Sequence, residues 1–139
     1  MSKSTSGASI QLTNVTKSYP NQPVAAVENF SMSINPGELI MLVGPSGCGK
    51  TTTMKMINRI IEPTSGSIKI DGEDILSLDQ NTLRRRIGYV IQQIGLFPHM
   101  TIAENVSVVP KLLGWDKAKT AARVDELLSL VDLDPAKFA

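Results

Sequence analysis

The chain has 139 residues, 42% of them hydrophobic and 19% charged, with a formal net charge of +1. That balance suits one soluble domain with a real core and argues against a dedicated nucleic-acid binder held through phosphate contacts. No apolar run approaches the about 20 residues that cross a bilayer, the single cysteine forms no internal disulfide and fits a reducing cytoplasm, and residues 1–9, MSKSTSGAS, hold no apolar segment of a signal peptide.

Residues 1–9 are expected to be a flexible tail. Ile10-Gln11-Leu12-Thr13 alternates and predicts a first strand, followed by a turn-rich stretch over residues 15–23. Val24 to Val27 predicts a second strand. Phe30, Met32 and Ile34 alternate with polar residues and predict a third, half-buried one, closed by the turn Asn35-Pro36-Gly37-Glu38. Three β segments in a row make the start of the domain antiparallel-rich. Leu39-Ile40-Met41-Leu42-Val43 is a continuous apolar run, the pattern of a strand buried on both faces.

Gly44-Pro45-Ser46-Gly47-Cys48-Gly49-Lys50-Thr51 follows without a gap and fits G-x-x-x-x-G-K-[ST], the phosphate-binding loop. Residues 52–59, free of Gly and Pro, predict a helix after it. Glycines at 44, 47 and 49 permit positive φ and close approach of the backbone to a ligand. Successive amide N–H groups then make an anion nest, and the helix points its positive end at the same spot. Lys50 supplies a mobile point charge for the β- and γ-phosphates. The Thr51 hydroxyl suits Mg²⁺, a hard cation that prefers oxygen, and Thr52 is placed for the α-phosphate. The competing reading is a chance match in a glycine-rich turn; the apolar run before it and the helix after it decide for nucleotide. Cys48 is expected to be a small residue facing the backbone, since no base lies near it in sequence to activate a thiol.

Glu62-Pro63-Thr64-Ser65-Gly66 breaks the chain, Ser67-Ile68-Lys69-Ile70 predicts a strand, and Asp71-Gly72 turns it. Asp79 is expected to cap a short helix through Arg86, with Arg84-Arg85-Arg86 a solvated helix end rather than an interaction patch. Ile87-Gly88-Tyr89-Val90-Ile91 reads as another buried strand, ending at Gln92-Gln93, and residues 94–100 form an irregular apolar loop. Thr101-Ile102-Ala103-Glu104 is a capping box that starts a helix at residue 102, kinked or ended by Pro110 and closed by Gly114. Asp116 caps the last predicted helix, whose apolar positions are Ala118, Ala121, Val124, Leu128 and Val131. His99, the only histidine, has no partner ligand within helical reach and reads as packing or docking; Trp115 reads as a helix-junction anchor.

In this order the segments resemble the nucleotide-binding domain of ABC transporters, over residues 10–139. The resemblance is carried by Tyr19 ahead of the loop, Gly44 to Thr51 itself, and PTSGSIKIDGEDI from Pro63 to Ile75. Tyr89-Val90-Ile91-Gln92 follows, then Leu96-Phe97-Pro98-His99-Met100-Thr101-Ile102 and Glu104-Asn105-Val106. It implies an α/β fold of the P-loop NTPase type, an ABC-type ATPase core with an antiparallel β subdomain and the start of a helical subdomain, residues 10–93 and 94–139. It implies ATP and Mg²⁺ as ligands. Tyr19 would stack on adenine, and Gly44 to Thr52 would hold the phosphates. Lys50 and Gln92 would act in catalysis, with Thr51 and Gln92 at the metal. Gln92 would lie in the Q-loop, with Gln93 its neighbouring rival. Implied partners are a second nucleotide-binding subunit, transmembrane permease subunits docking on residues 94–105 and, indirectly, a solute-binding protein. Nucleic acid is not among them, and the place is the cytoplasmic face of the membrane.

The stretch IQQIGLFPHM over residues 91–100, with VVPKLLGW over 108–115, is similar to the ATPases of bacterial glycine betaine, carnitine and choline importers. The signature segment, the Walker B strand ending Asp-Glu, the D-loop and the switch histidine of such domains do not occur in these residues. The resemblance therefore implies a chain truncated before the signature, with central strands missing, apolar edges exposed and no turnover of its own. Alternatives are a truncated ATP-binding module without turnover, a soluble non-transport ABC ATPase, or a small-molecule kinase. The three β segments ahead of the loop disfavour the kinase.

Overall fold

The computed structural model describes residues 7–93 and 95–138. Most of the expected tail, Ile94 at the head of the predicted docking segment, and Ala139 lie outside the described residues. The chain divides into two units, one up to Ile87 and one from Gly88 onward.

In the first unit, β1 (Ile10–Lys17), β2 (Val27–Ile34), β3 (Ser65–Ile70) and β4 (Glu73–Asp74) form one antiparallel sheet in the order β2-β1-β3-β4. The expected antiparallel start is present, but its strands are longer and fewer than the alternation suggests. β1 runs on to Lys17, through residues expected to turn. Asn14 adopts φ 48°, and the register with both neighbours shifts beside it. Asn is one of the few residues that accept this left-handed geometry. The bulge puts Leu12 and Val15, three apart, on the same buried face, so a strict period of two loses the strand at Thr13. Asn29, at φ 46°, does the same in β2, where Val27 and Phe30 both turn inward. The two segments expected at 24–27 and 30–34 are thus one bulged strand, and residues 24–26 belong to the loop before it.

α1 (Lys50–Ile57) and α2 (Gln80–Arg86) complete the unit. The helix expected over 52–59 starts two residues earlier, because Gly49 already serves as its cap. Its core joins Leu12, Val15, Val27, Ile68 and Ile70 of the sheet to Met56 and Ile57 of α1, Ile75, and Leu83 of α2. Asp79 caps α2 through the Thr82 backbone N–H at 2.8 Å, and that bond holds its carboxyl below the ordinary value. Arg59, at φ 50°, escaped sequence reasoning. Its guanidinium donates to the carbonyls of Ile75 (3.2 Å) and Leu78 (2.8 Å) and pairs with Glu62 at 3.0 Å, tying the end of α1 to the approach of α2.

Two expected strands are absent. Residues 39–43 have no strand partner among the described residues, and Leu39, Met41 and Val43 are at least 78% exposed. Residues 87–91 likewise form no strand, with Val90 97% exposed. An apolar run predicts a parallel strand only where neighbouring strands take up its amides and cover both faces. Neither run has such neighbours among the described residues, which matches the expected exposure of apolar edges.

The second unit holds α3 (Ile102–Leu112), α4 (Lys117–Leu130) and α5 (Pro135–Phe138). The capping box is present in full: Thr101 Oγ1 accepts from the Glu104 N–H at 3.2 Å and Glu104 Oε2 from the Thr101 N–H at 2.8 Å. Pro110 sits inside α3, which ends two residues later and turns at Gly114, φ 74°. Asp116 caps α4 as expected. Its buried face is narrower than the spacing predicts. Val124 and Leu128 are buried with Thr120, while Ala118, Ala121 and Val131 are exposed. Thr120 replaces an apolar residue there because its hydroxyl donates back to the Asp116 carbonyl at 2.8 Å.

Candidate functional site

The loop from Gly44 to Thr51 follows the exposed run, and its last two residues open α1. Gly47 and Gly49 both have positive φ, 83° and 94°. At Gly47 the requirement is conformational only, since a Cβ would meet nothing within 4 Å. At Gly49 it is also steric, because a Cβ would overlap the Ala26 carbonyl oxygen. That carbonyl belongs to the loop leading into β2, so the sheet and the phosphate loop touch at this point. Gly49 is the N-cap of α1, and its carbonyl accepts from both the backbone N–H and the hydroxyl of Thr53, each at 2.9 Å. No side chain caps the helix, so its first amides are left for a ligand or water.

Lys50 opens α1. Its ammonium donates to the carbonyls of Gly44 (2.6 Å) and Pro45 (2.8 Å) and lies 3.3 Å from Cys48 Sγ. The lysine thus ties the first two residues of the loop to the start of the helix. Cys48 is exposed, and its Sγ lies over Gly44, in the space that a Cβ on that glycine would take. Ser46 and Thr51 are exposed and Thr52 is half-buried. Residues 40–43 of the run line an open cavity of about 620 Å³ that also reaches Ala26, Phe30, Met32, Gly49, Lys50 and Thr53.

Tyr19 lies in the same unit, half-buried, in the loop that joins β1 to β2. Its carbonyl accepts from the Gln22 N–H at 3.0 Å, closing a turn. Gln92 and Gln93 fall in the second unit, exposed and outside any helix or strand. Among the described residues no group of three His, Cys, Asp or Glu side chains is placed to hold a metal ion. His99 packs edge-on against Phe97, ring centroids 6.0 Å apart. Trp115 sits at the junction of α3 and α4: its backbone N–H donates to the Pro110 carbonyl at 3.0 Å, and Lys119 Nζ lies 4.0 Å from its ring centroid.

Asn105 enters the sequence reading only within Glu104-Asn105-Val106, with no role of its own. Its carboxamide oxygen accepts the Phe97 N–H at 2.8 Å, and its nitrogen donates to the carbonyls of Phe97 (3.2 Å), Met100 (3.2 Å) and Thr101 (2.9 Å). One side chain therefore fixes the irregular loop onto α3, leaving Leu96 and Phe97 exposed at 60% and 48%. Asn105→Ala is expected to speed hydrogen exchange at the Phe97 amide roughly tenfold or more, with α4 amides unchanged.

The ABC transporter family model matches residues 27–138. The osmoprotectant import ATP-binding protein OsmV of Salmonella typhimurium is 57% identical over 132 residues, covering 93% of this chain and 35% of that protein. The choline transport ATP-binding protein OpuBA of Bacillus subtilis is 59% identical over 126 residues, covering 91% of this chain and 33% of that protein. The chain thus spans about a third of the length of these relatives. Among solved structures, a dimeric post-hydrolysis state of the ATP-binding cassette MJ0796 bound to ADP and Pi is similar, with a TM-score of 0.80 at 34% identity. That match covers 94% of this chain and 60% of the cassette. With the glycine-rich loop, the antiparallel sheet whose strands flank it in sequence and the family match over residues 27–138 in agreement, this chain belongs to the ABC transporter family.

Proposed function

We propose that the chain is part of the ATP-binding subunit of an ABC importer that takes up a quaternary amine osmoprotectant. The observation that carries the nucleotide reading is Lys50 at the head of a helix with no side-chain cap, behind two left-handed glycines, one of them closed against any side chain. Residues 44–52 receive the triphosphate: backbone amides and the helix end complement its charge, and Lys50 adds a cation. Tyr19 offers its ring to the adenine. The names of the relatives support the importer and its solute class.

Mg²⁺ fits these residues as a cation carried by ATP rather than by a protein cage. The exposed Thr51 hydroxyl beside the helix start is one oxygen donor, and Mg²⁺ takes the others from phosphate and water. When bound, it neutralises charge on the phosphates. Gln92, with Gln93 as rival, is the proposed second contact and the residue that relays nucleotide state. The segment from residue 95 to Asn105, with its exposed Leu96 and Phe97, is the proposed docking face for a permease subunit at the cytoplasmic side of the membrane. A second ATP-binding subunit and an indirect solute-binding protein complete the assembly proposed for the longer protein, whose ATP hydrolysis drives uptake.

The test is binding of ATP and GTP to the 139-residue chain by calorimetry. Tyr19→Ala is expected to weaken both roughly tenfold, because stacking tolerates either base. Loss of one nucleotide alone would point to recognition of base edges instead. Failure of the unaltered chain to bind either would overturn the nucleotide reading.

A further inference from the structure

Tyr19 does not stand alone in its loop. Lys17, the last residue of β1, places its ammonium over the Tyr19 ring, 5.1 Å from the centroid. The same ammonium donates to the Glu62 carbonyl at 2.8 Å, just past the end of α1. The Lys17 carbonyl accepts the Ala26 N–H at 2.8 Å, and the Ala26 carbonyl fills the space that a Cβ on Gly49 would need. Thr64 fastens the chain on either side of Lys17: its Oγ1 accepts from the Ser18 N–H at 3.0 Å, and its N–H donates to the Thr16 carbonyl at 2.8 Å.

We propose that Lys17 is a positioning residue for nucleotide binding, which covers one face of the Tyr19 ring and leaves the opposite face for a purine base. This rests on the reading of Tyr19 as the base platform. A lysine on an exposed strand end would ordinarily wander in solvent. Here the Glu62 carbonyl fixes its head, and the fixed charge sits on the negative face of an aromatic ring. The ring is thereby held in one orientation relative to β1. Through Ala26 the same residue is registered against the phosphate loop. Base platform and phosphate loop are thus set at a defined spacing by one residue, with its side chain acting on the ring and its backbone on the loop. A neutral side chain of similar length keeps the backbone bond but lets the ring turn.

Affinities for ATP and for inorganic tripolyphosphate separate the two ends of the site. Lys17→Met is expected to weaken ATP about three- to tenfold, the range of a cation–π contact, and to leave tripolyphosphate unchanged. Lys17→Arg keeps a cation and a donor and is expected to restore ATP affinity. Because Lys17 acts through the ring, Lys17→Met combined with Tyr19→Ala is expected to bind ATP no more weakly than Tyr19→Ala alone. Equal losses for ATP and tripolyphosphate, additive losses in the double variant, or unchanged ATP affinity in Lys17→Met would each overturn the proposal. If Tyr19→Ala itself leaves ATP affinity intact, the platform reading fails as well, which sets that outcome apart from a failure of Lys17 alone.

Discussion

Lys50→Ala is expected to lower the affinity of the chain for ATP by about a hundredfold or more, the scale set by losing hydrogen bonds from a charged donor. Equilibrium dialysis reads this directly. Two effects act together. The variant removes the only cation on the loop, so the triphosphate is left to neutral amides and the helix end. It also removes the donor that ties the Gly44 and Pro45 carbonyls to the start of α1, so the loop itself loosens. Lys50→Arg tells the two apart. A guanidinium keeps the charge but is wider and planar, and it does not reproduce two short bonds to neighbouring carbonyls. An arginine variant as weak as alanine would assign the effect to loop geometry. Unchanged affinity in Lys50→Ala would remove the phosphate-loop assignment altogether.

Gly66→Ala is expected to destabilise the first unit by about 3 kcal/mol or more, the sum of a left-handed backbone and a steric overlap. Gly66 has φ 85°, and a Cβ there would collide with the carbonyl group of Asn14 across the pair of strands. Asn14 is the residue that bulges β1, so relief cannot come from its backbone without undoing the bulge. Gly72 supplies the control. Its φ is 81°, but a Cβ would meet nothing within 4 Å. Gly72→Ala should therefore cost only about 1 kcal/mol. Urea unfolding of both variants checks the difference, and equal losses would show that strain alone, not the overlap, governs Gly66.

The sequence made the punctuation of this chain legible. The caps at Asp79, Thr101 and Asp116 and the glycines at 47 and 49 each act within a few residues, and each does in the structure what its type suggests. What it concealed depends on distant partners. The bulges at Asn14 and Asn29 break the alternation that marks a strand, so β1 and β2 read as shorter pieces. The runs 39–43 and 87–91 look like core strands, but composition records only a capacity for burial, and burial needs neighbours. Arg59, Asn105 and Lys17 were missed because their roles lie in bonds to main-chain carbonyls, which leave no pattern in side-chain type. In the candidate site, the motif revealed the loop, whereas the contact of Ala26 with Gly49 needed coordinates.

The bare strip from Leu39 to Val43 also governs how the chain behaves in bulk. Exposed apolar side chains beside unpaired backbone adhere to the same segment of another copy. Turbidity should set in as the protein is concentrated, well before heat disrupts the sheet. During synthesis the same five residues would be the natural grip for a holdase, which would make yield in a cell a matter of chaperone supply as much as of folding energy.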